Sequence, residues 1–408
     1  MDELANPYRP GAGLPPPVLS GRDRLLHSFR TATARALMSK PGKSVMPTGL
    51  RGVGKTVLLG EFAKIAEPQG YIIASIEAPE TGEFRRMFAN RIRRALIDLS
   101  EGPTIATVNA ALRVFKSFSL TFPHDVSVSV DVQPMRGRAD SRVFADDLSD
   151  LLIATAEAAR DRKRGILILI DEVQYLSPEE FAAVITAIHG TSQRNLPAVL
   201  VGAGLPQLPK LAGEAKSYAE RLFTFPRIGS LTESEACTAV AEPARDVGVT
   251  FSDDALAEIY RQTQGYPYFL QEWAYSVWNI APKSPIEAAD AMAAEPHILR
   301  SLDEDFFSVR FERLRPAEKR YLRAMASLGS EPQRSSTIAR EYGLPATSVA
   351  RIRQDLIEKG LLYSQEHGET AFTVPLFDQF LLRRMPTMEL APAIEMDSNG
   401  GGMSPELS

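Results

Sequence analysis

The chain has 408 residues, of which 44% are hydrophobic and 24% are charged, and its formal net charge is −5 at pH 7. This length predicts two or three domains, and the composition is that of an ordinary globular protein. The single cysteine, Cys237, excludes an internal disulfide framework and a cysteine-based zinc site. No apolar run approaches the roughly 18 residues that span a bilayer, and the net charge indicates no general attraction to nucleic acid.

The two ends of the chain differ from the rest in composition. Residues 1–17 are rich in proline and glycine and predict an extended N-terminal arm. Residues 387–408 contain a run of glycines and predict a disordered tail. The start, Met1-Asp2-Glu3-Leu4, lacks the basic and apolar regions of a signal peptide, so we expect a cytoplasmic protein without a membrane partner.

Strand and helix patterns alternate over residues 18–228. The candidate strands are Ser44–Thr48, Tyr71–Glu77, Gly165–Asp171, Ala198–Gly202 and Leu222–Pro226. Helical patterns separate them, which predicts an α/β core with a parallel sheet and helices on both faces. The strict polar and apolar alternation of residues 125–132 predicts a strand within an inserted hairpin at about 122–142.

A glycine-rich loop directly follows the first candidate strand. Residues 49–56 read Gly-Leu-Arg-Gly-Val-Gly-Lys-Thr, a spacing whose backbone N–H groups can surround a phosphate. Lys55 would reach the β- and γ-phosphates, and the Thr56 hydroxyl would ligate Mg²⁺. Thr56 would also open a helix whose N-terminal dipole favours an anion.

A second motif, a pair of carboxylates at the end of a strand, complements the glycine-rich loop. The buried strand Ile166–Ile170 runs into Asp171 and Glu172, two carboxylates at a strand end. Asp171 can hold Mg²⁺ through water, and Glu172 can polarise an attacking water as a general base. Together the two motifs predict a protein that binds ATP or ADP with Mg²⁺ and hydrolyses ATP. The competing interpretation is a chance glycine turn beside an ordinary core strand.

After about residue 229 the pattern becomes helical. Residues 229–310 predict an all-α lid, which includes Gly265-Tyr266-Pro267 between two helices. Residues 311–386 follow the order helix, helix, turn, helix, strand, wing, strand, which predicts a winged-helix domain.

With these motifs the chain resembles the AAA+/STAND ATPases, close to their archaeal-type ATPase and origin-initiator-like groups. The residues that carry the resemblance are Ser20–Asp23, the loop 49–56, Asp171–Gln174, and Gly265–Leu270. The resemblance implies a nucleotide site made of Gly49, Leu50, Arg51, Gly52, Val53, Gly54, Lys55, Thr56, Val57, Arg22 and Pro267.

The resemblance also implies roles for single residues outside the loop. The segment Val18–Asp23 would border the adenine, and Pro267 would sense the nucleotide. Pro267 is equally explained as the first residue of a helix after a glycine C-cap. Arg221 stands where an arginine finger acts across a contact between subunits, and its alternative is a surface arginine paired with Glu220 or Glu214. The implied catalytic set is therefore Glu172, Lys55 and Arg221, with Thr56 and Asp171 as metal ligands.

The chain departs from the family pattern at one position. The strand Ala198–Val201 leads into Gly202-Ala203-Gly204, without the polar sensor residue that normally follows it, unless Gln207 substitutes. This departure favours slow hydrolysis and a switch, in which the lid and the winged helix close on ADP and open on ATP towards a protein partner or a second copy.

Two alternatives stay open beside the switch: a DNA-binding initiator or mobile-element helper ATPase, and a nucleotide-binding pseudoenzyme. For DNA, residues 314–385 carry 11 Lys and Arg against 8 Asp and Glu. Arg351 and Gln354 of the predicted recognition helix are plausible base readers, whereas Asp355 and Glu358 would repel phosphate.

Overall fold

The computed structural model of the chain describes residues 1–387 except 12, 41, 81, 104, 123–131 and 365–367. Two compact units divide the chain between Leu302 and Asp303. The predicted strand at 125–132 lies almost wholly outside the described residues, as do most of the predicted tail and the tip of the predicted wing. No helix in the described ranges is long and apolar enough to cross a membrane.

The N-terminal unit contains a parallel five-stranded sheet in the order β2-β3-β4-β1-β5. The strands are β1 (Ser44–Val45), β2 (Tyr71–Glu77), β3 (Gly165–Asp171), β4 (Ala198–Gly202) and β5 (Phe223–Thr224). The α/β prediction is thus confirmed, and β2, β3 and β4 have the predicted bounds. Glu77 pairs with Asp171 and Ile170 with Gly202, so these three strands end at one edge.

The first and the last predicted strands along the chain, Ser44–Thr48 and Leu222–Pro226, were predicted too long. Pro47 has no N–H to donate, so the regular ladder stops after Val45. The neighbouring donors still reach the last strand segment, since Met46 N donates to Thr224 O at 2.8 Å and Thr48 N to Pro226 O at 2.9 Å. Leu222 instead ends a short helix.

Helices cover both faces of the sheet. Successive side chains of a strand point to opposite faces of the sheet. On β3, Ile166, Ile168 and Ile170 belong to one hydrophobic cluster, and Leu167 and Leu169 on the other face are buried as well. The helices are α1 (Asp23–Leu37), α2 (Lys55–Ala66), α3 (Phe84–Ser100), α4 (Ala106–Thr121), α5 (Phe144–Asp161), α6 (Pro178–Gln193), α7 (Leu208–Ala215) and α8 (Ala219–Leu222).

The predicted lid region is helical. It contains α9 (Glu233–Asp246), α10 (Asp253–Thr263), α11 (Pro267–Ile280) and α12 (Ala288–Ser301). The predicted arm lies against these helices, since the indole of Trp278 donates to Asp2 O at 2.9 Å and the Tyr8 hydroxyl to Val240 O at 2.5 Å. Only 2% of Tyr8 is exposed, so the arm is packed against the helices at this residue.

The C-terminal unit combines short helices with a small antiparallel sheet in the order β6-β8-β7. Its elements are α13 (Ser308–Glu312), α14 (Pro316–Ala326), β6 (Gln333–Arg334), α15 (Ser335–Tyr342), α16 (Ala346–Glu358), β7 (Leu362–Tyr363), β8 (Glu369–Phe372) and α17 (Phe377–Arg384). The order α14, α15, α16, β7, β8 is the one on which the winged-helix prediction rests, and that assignment stays a prediction.

A buried carboxylate joins two helices of this unit. Glu318 is 0% exposed, accepts from Arg315 Nη2 at 2.8 Å and accepts from Lys359 Nζ at 2.7 Å. Burial alone would raise the pKa of this carboxyl, but the hydrogen bonds from Arg315 and Lys359 outweigh it and lower the pKa to about 2. The charged form of Glu318 therefore stabilises the packing of α14 against the end of α16.

We expect Glu318→Gln to destabilise this unit by about 2 kcal/mol at pH 7, because two cations lose a charged acceptor. The ionised carboxylate contributes stability above its unfolded pKa, near 4.5, and that contribution is lost as pH falls towards 2. The gap between wild type and variant should therefore shrink between pH 7 and about pH 3. Urea unfolding, read by pulsed hydrogen exchange in peptides of α14 and α16, measures it.

The control is Glu312→Gln, since Glu312 forms a surface ion pair with Lys319 at 3.2 Å and its side chain is 57% exposed. Its effect should stay below about 0.5 kcal/mol. Equal effects of the two substitutions would show that Glu318 contributes no more than a surface pair.

Candidate nucleotide-binding site

The glycine-rich loop joins the region of β1 to α2. Gly54 is the N-cap of α2 with φ 91°, a left-handed conformation in which a side chain would be strained. The loop therefore turns sharply into the helix, and the first N–H groups of α2 open towards the loop. Within the loop, Val53 is buried while Gly52 is exposed. A ring of backbone donors at a helix N-terminus is a binding site for phosphate.

Lys55 lies on the inside of this loop. Its side chain is buried, with 5% exposed, and Nζ donates to Gly49 O at 3.1 Å and to Leu50 O at 2.8 Å. Burial lowers the pKa of the Lys55 ammonium, while the carboxylates of Glu172 and Asp171 oppose that shift. The ammonium is thus held among carbonyl oxygens, close to the two carboxylates that follow β3.

Thr56 and Asp171 connect the loop to β3. The Thr56 hydroxyl donates to Asp171 Oδ2 at 2.6 Å, and Asp171 is 8% exposed. Burial raises the pKa of the Asp171 carboxyl, and the hydrogen bond from Thr56 acts against that rise. A hydroxyl and a carboxylate at this separation are hard oxygen donors of the kind that Mg²⁺ prefers, so the residues fit the ion.

Glu172 follows Asp171 in a left-handed backbone conformation, with φ 52° and ψ 42°. A non-glycine residue in this region is uncommon and often marks a functional site. The Glu172 carboxylate accepts a hydrogen bond from Gln174 Nε2. Gln174 Oε1 in turn accepts from the backbone N–H of Leu205 at 3.1 Å, just beyond β4.

Arg51 links the loop to the turn after β3. Its Nη2 donates to the Tyr175 hydroxyl at 2.6 Å, and its buried Nε has no hydrogen-bond partner among the described residues. Burial raises the pKa of the Tyr175 hydroxyl, and the nearby Arg51 charge opposes it. The Arg51 guanidinium thus connects the glycine-rich loop with the turn after β3.

The N-terminal end of lid helix α11 touches the loop. The Tyr266 hydroxyl donates to Arg51 O, and Tyr268 N donates to Gly52 O at 3.2 Å. Tyr266 is 2% exposed, and a Cβ added at Gly52 would lie 3.1 Å from its ring. Pro267 is the first residue of α11, as the helix-start interpretation predicts. The lid therefore lies directly on the predicted phosphate loop.

Three further predicted residues take no part in these contacts. Arg22 precedes α1, and its Nη2 donates to Gly229 O at 2.7 Å; burial lowers the pKa of its guanidinium. Val57 lies in the first turn of α2 and is partly buried. Arg221 is exposed on α8 and has no ion pair with any residue in the described ranges, so the predicted partners Glu220 and Glu214 do not bind it.

Ala203 is fully buried beside the turn that carries Glu172. Gln207, the expected substitute for a polar sensor, is the N-cap of α7. Its buried Oε1 has no hydrogen-bond partner among the described residues. The contacts of Gln174, Tyr175 and Tyr266 were not predicted. Gln174 and Tyr266 lie inside the quoted motifs, but no spacing rule assigns a partner to a side chain that bonds to a distant backbone.

Comparison with known families gives two matches. Residues 18–201 match the AAA ATPase domain family, and residues 304–381 match a family described as Domain of unknown function (DUF8462). No curated protein matches the sequence.

Several solved structures are similar to the whole chain. The Orc1 protein of Aeropyrum pernix in complex with DNA is 17% identical with a TM-score of 0.47, covering 91% of this chain and 94% of that chain. Cdc6p from Pyrobaculum aerophilum is 16% identical with a TM-score of 0.44, covering 94% and 97%. The Holliday junction branch migration motor RuvB of Thermotoga maritima is 15% identical with a TM-score of 0.43, covering 86% and 92%.

The family match spans both motifs, from the segment before α1 to β4, and the parallel sheet carries them at one edge. Residues 18–201 of this chain therefore belong to the AAA ATPase domain family, and the protein carries an AAA+ P-loop domain.

Proposed function

We propose that the protein binds ATP and ADP with Mg²⁺ and is an ATPase that works as a nucleotide-gated switch. The observation that carries the proposal is the cluster of Lys55, Thr56, Asp171 and Glu172, in which the Thr56 hydroxyl and the Asp171 carboxylate are 2.6 Å apart. One cation, two oxygen donors and a second carboxylate next to a helix N-terminus are the groups that phosphoryl transfer to water requires.

Each residue of the cluster has a separate task. The Lys55 ammonium exchanges the carbonyl oxygens of Gly49 and Leu50 for phosphate oxygens. Thr56 and Asp171 would hold Mg²⁺, which supplies charge neutralisation at the phosphates when bound. Glu172 accepts a proton from the attacking water as general base. The predicted loop residues Gly49–Val57 provide backbone donors, and Arg22 and Pro267 border the nucleotide.

The lid contact supports a switch. The Tyr266 hydroxyl and the Tyr268 N–H bond to the carbonyls of Arg51 and Gly52, which belong to the phosphate loop. A nucleotide that rearranges this loop must alter these hydrogen bonds, so loop and lid respond together. The apolar Ala203, where a polar sensor is expected, favours slow turnover, as a switch requires. The exposed Arg221 would act as an arginine finger at the nucleotide site of a second copy of the chain.

We expect Glu172→Gln to lower ATP turnover by about 10²–10⁴-fold, because the amide cannot act as a base. ATP affinity should stay within about twofold of wild type, since Lys55 and Thr56 are untouched. Steady-state phosphate release and equilibrium binding of a fluorescent ATP analogue measure the two quantities. A wild type whose turnover does not exceed that of the variant would leave a nucleotide-binding pseudoenzyme.

We expect Tyr266→Phe to loosen the lid without removing nucleotide binding. The lost hydrogen bond is worth about 1 kcal/mol, so the amides of residues 266 and 268–270 should exchange about fivefold faster in the nucleotide-free protein. Their exchange should also differ less between the ADP and ATP states than in wild type. Hydrogen exchange by mass spectrometry measures both effects.

Tyr275→Phe is the matched control, because Tyr275 lies on the same helix, is 37% exposed and contacts the arm through its backbone carbonyl. If Tyr266→Phe leaves exchange unchanged in all nucleotide states, the contact with Arg51 does not transmit the signal.

One observation favours the DNA-binding alternative. Asp355, an expected source of repulsion towards phosphate, is ion-paired with Arg315, and Glu358 accepts from Gln354 Nε2 at 3.0 Å. Arg351 remains exposed on the same face of α16. A neutralised carboxylate beside an exposed arginine suits a helix that approaches a duplex, if this unit is a winged helix.

We expect the full chain, if it binds duplex DNA, to lose affinity steeply between about 50 and 200 mM salt. The double substitution Arg351→Ala with Gln354→Ala should weaken binding about tenfold, whereas Arg245→Ala, an exposed arginine of α9, should not. Fluorescence anisotropy with labelled duplex measures this. Absence of binding at the lower salt concentration would exclude the alternative.

A further inference from the structure

We propose that Gln174 is the positioning residue for the general base Glu172, and that it replaces the polar side chain missing at position 203. The proposal rests on the ATPase activity proposed above. It concerns a residue that no sequence motif assigns a role.

The orientation of the Gln174 amide follows from its two partners. The Leu205 backbone N–H is only a donor, so the atom 3.1 Å from it must be the carbonyl oxygen Oε1. The amide nitrogen Nε2 then faces the other way, towards the Glu172 carboxylate, which it contacts as a donor. A flipped amide would place two donors together at Leu205 and two acceptors together at Glu172.

The backbone around the amide is fixed as well. Val173 N donates to Ala203 O at 2.9 Å, and Ala203 N donates to Ile170 O at 2.8 Å, so the turn is bound to the end of β4 on both sides of Glu172. Gly204 leaves the space that the amide occupies, because a Cβ there would lie 2.8 Å from Gln174 Oε1. A side chain at position 204 would therefore push the Gln174 amide away from its present position.

The function of this arrangement follows from the freedom of a glutamate side chain. Glu172 has three rotatable side-chain bonds and is only partly buried, so its carboxylate needs a partner to hold one position. Ala203, directly after β4, is fully buried and has no polar side-chain atom to offer. Gln174 supplies that partner from the turn itself and connects the carboxylate to the same strand end.

Three variants test the inference on the full chain. Gln174→Ala removes both hydrogen bonds. Gln174→Glu keeps an acceptor for Leu205 N–H and places a like charge against Glu172. Gly204→Ala leaves Gln174 in the chain but takes the space of its Oε1. Gln193→Ala, at the exposed last residue of α6, is the control for loss of a glutamine side chain.

We expect kcat to fall about tenfold or more in all three variants, because a misplaced base loses near-attack geometry. KM and ATP affinity should change less than about twofold, and thermal unfolding should show each variant folded. The double variant Gln174→Ala with Gly204→Ala should have the kcat of Gln174→Ala alone, since both changes disrupt one contact. Gln193→Ala should retain wild-type kcat.

The outcomes separate the two proposals. Wild-type turnover no higher than that of Glu172→Gln would refute the ATPase and the positioning role with it. Clear wild-type turnover that Gln174→Ala leaves unchanged would refute the positioning role alone. A kcat loss that is additive in the double variant, or matched by an equal loss of ATP affinity, would assign Gln174 a general structural role instead.

Discussion

The hydrogen bond between the Thr56 hydroxyl and the Asp171 carboxylate is the contact on which the rest of the site depends. It joins the first turn of α2 to the end of β3, two points that lie far apart in the chain. The parallel sheet makes the contact available, because β4 lies between β1 and β3 and all three strands end at one edge. Binding sites of open parallel sheets lie at this edge for the same reason. Burial that raises the pKa of Asp171 is tolerated there because Thr56 donates to it and Lys55 lies nearby.

Two further elements contact this centre through hydrogen bonds between a side chain and a backbone group. The end of β4 reaches Glu172 through Gln174, and the start of α11 reaches the phosphate loop through Tyr266 and Tyr268. Backbone carbonyls and N–H groups have fixed positions, so side chains that bond to them are aligned by the fold itself. The N-terminal arm also binds the lid helices. Trp278 of α11 donates to a backbone carbonyl of the arm, and Tyr8 of the arm donates to a backbone carbonyl of α9. The glycine-rich loop, the turn that carries Glu172 and the lid thus form one connected set of contacts within the N-terminal unit.

The strands β2, β3 and β4 could be predicted to the residue because each is a predominantly apolar run bounded by a glycine, a charge or a loop. The helices α10 and α11 have clear local start signals, since Ser252 caps the first and Pro267 begins the second. Prediction failed where tertiary contacts outweigh local pattern. Pro47 interrupts β1 although its neighbours still bond across the sheet, and the two-residue strand β6 exists only because Gln333 and Arg334 pair with β8. No side chain caps the start of α4 or α17, and neither helix was predicted.

For the candidate site, the residue types and their spacing are sufficient to predict the chemistry. Gly54 before Lys55 and Thr56, and a buried strand running into Asp171 and Glu172, predict a phosphate loop and a carboxylate pair from local conformation alone. Only the tertiary structure decided that Gln174 rather than Gln207 contacts Glu172, that Arg51 meets Tyr175, and that Tyr266 lies on the phosphate loop. The physical reason is that a sequence motif specifies backbone conformation over a few residues. A hydrogen bond between a side chain and a distant backbone group depends on sheet register and helix packing, which no short stretch of residues specifies.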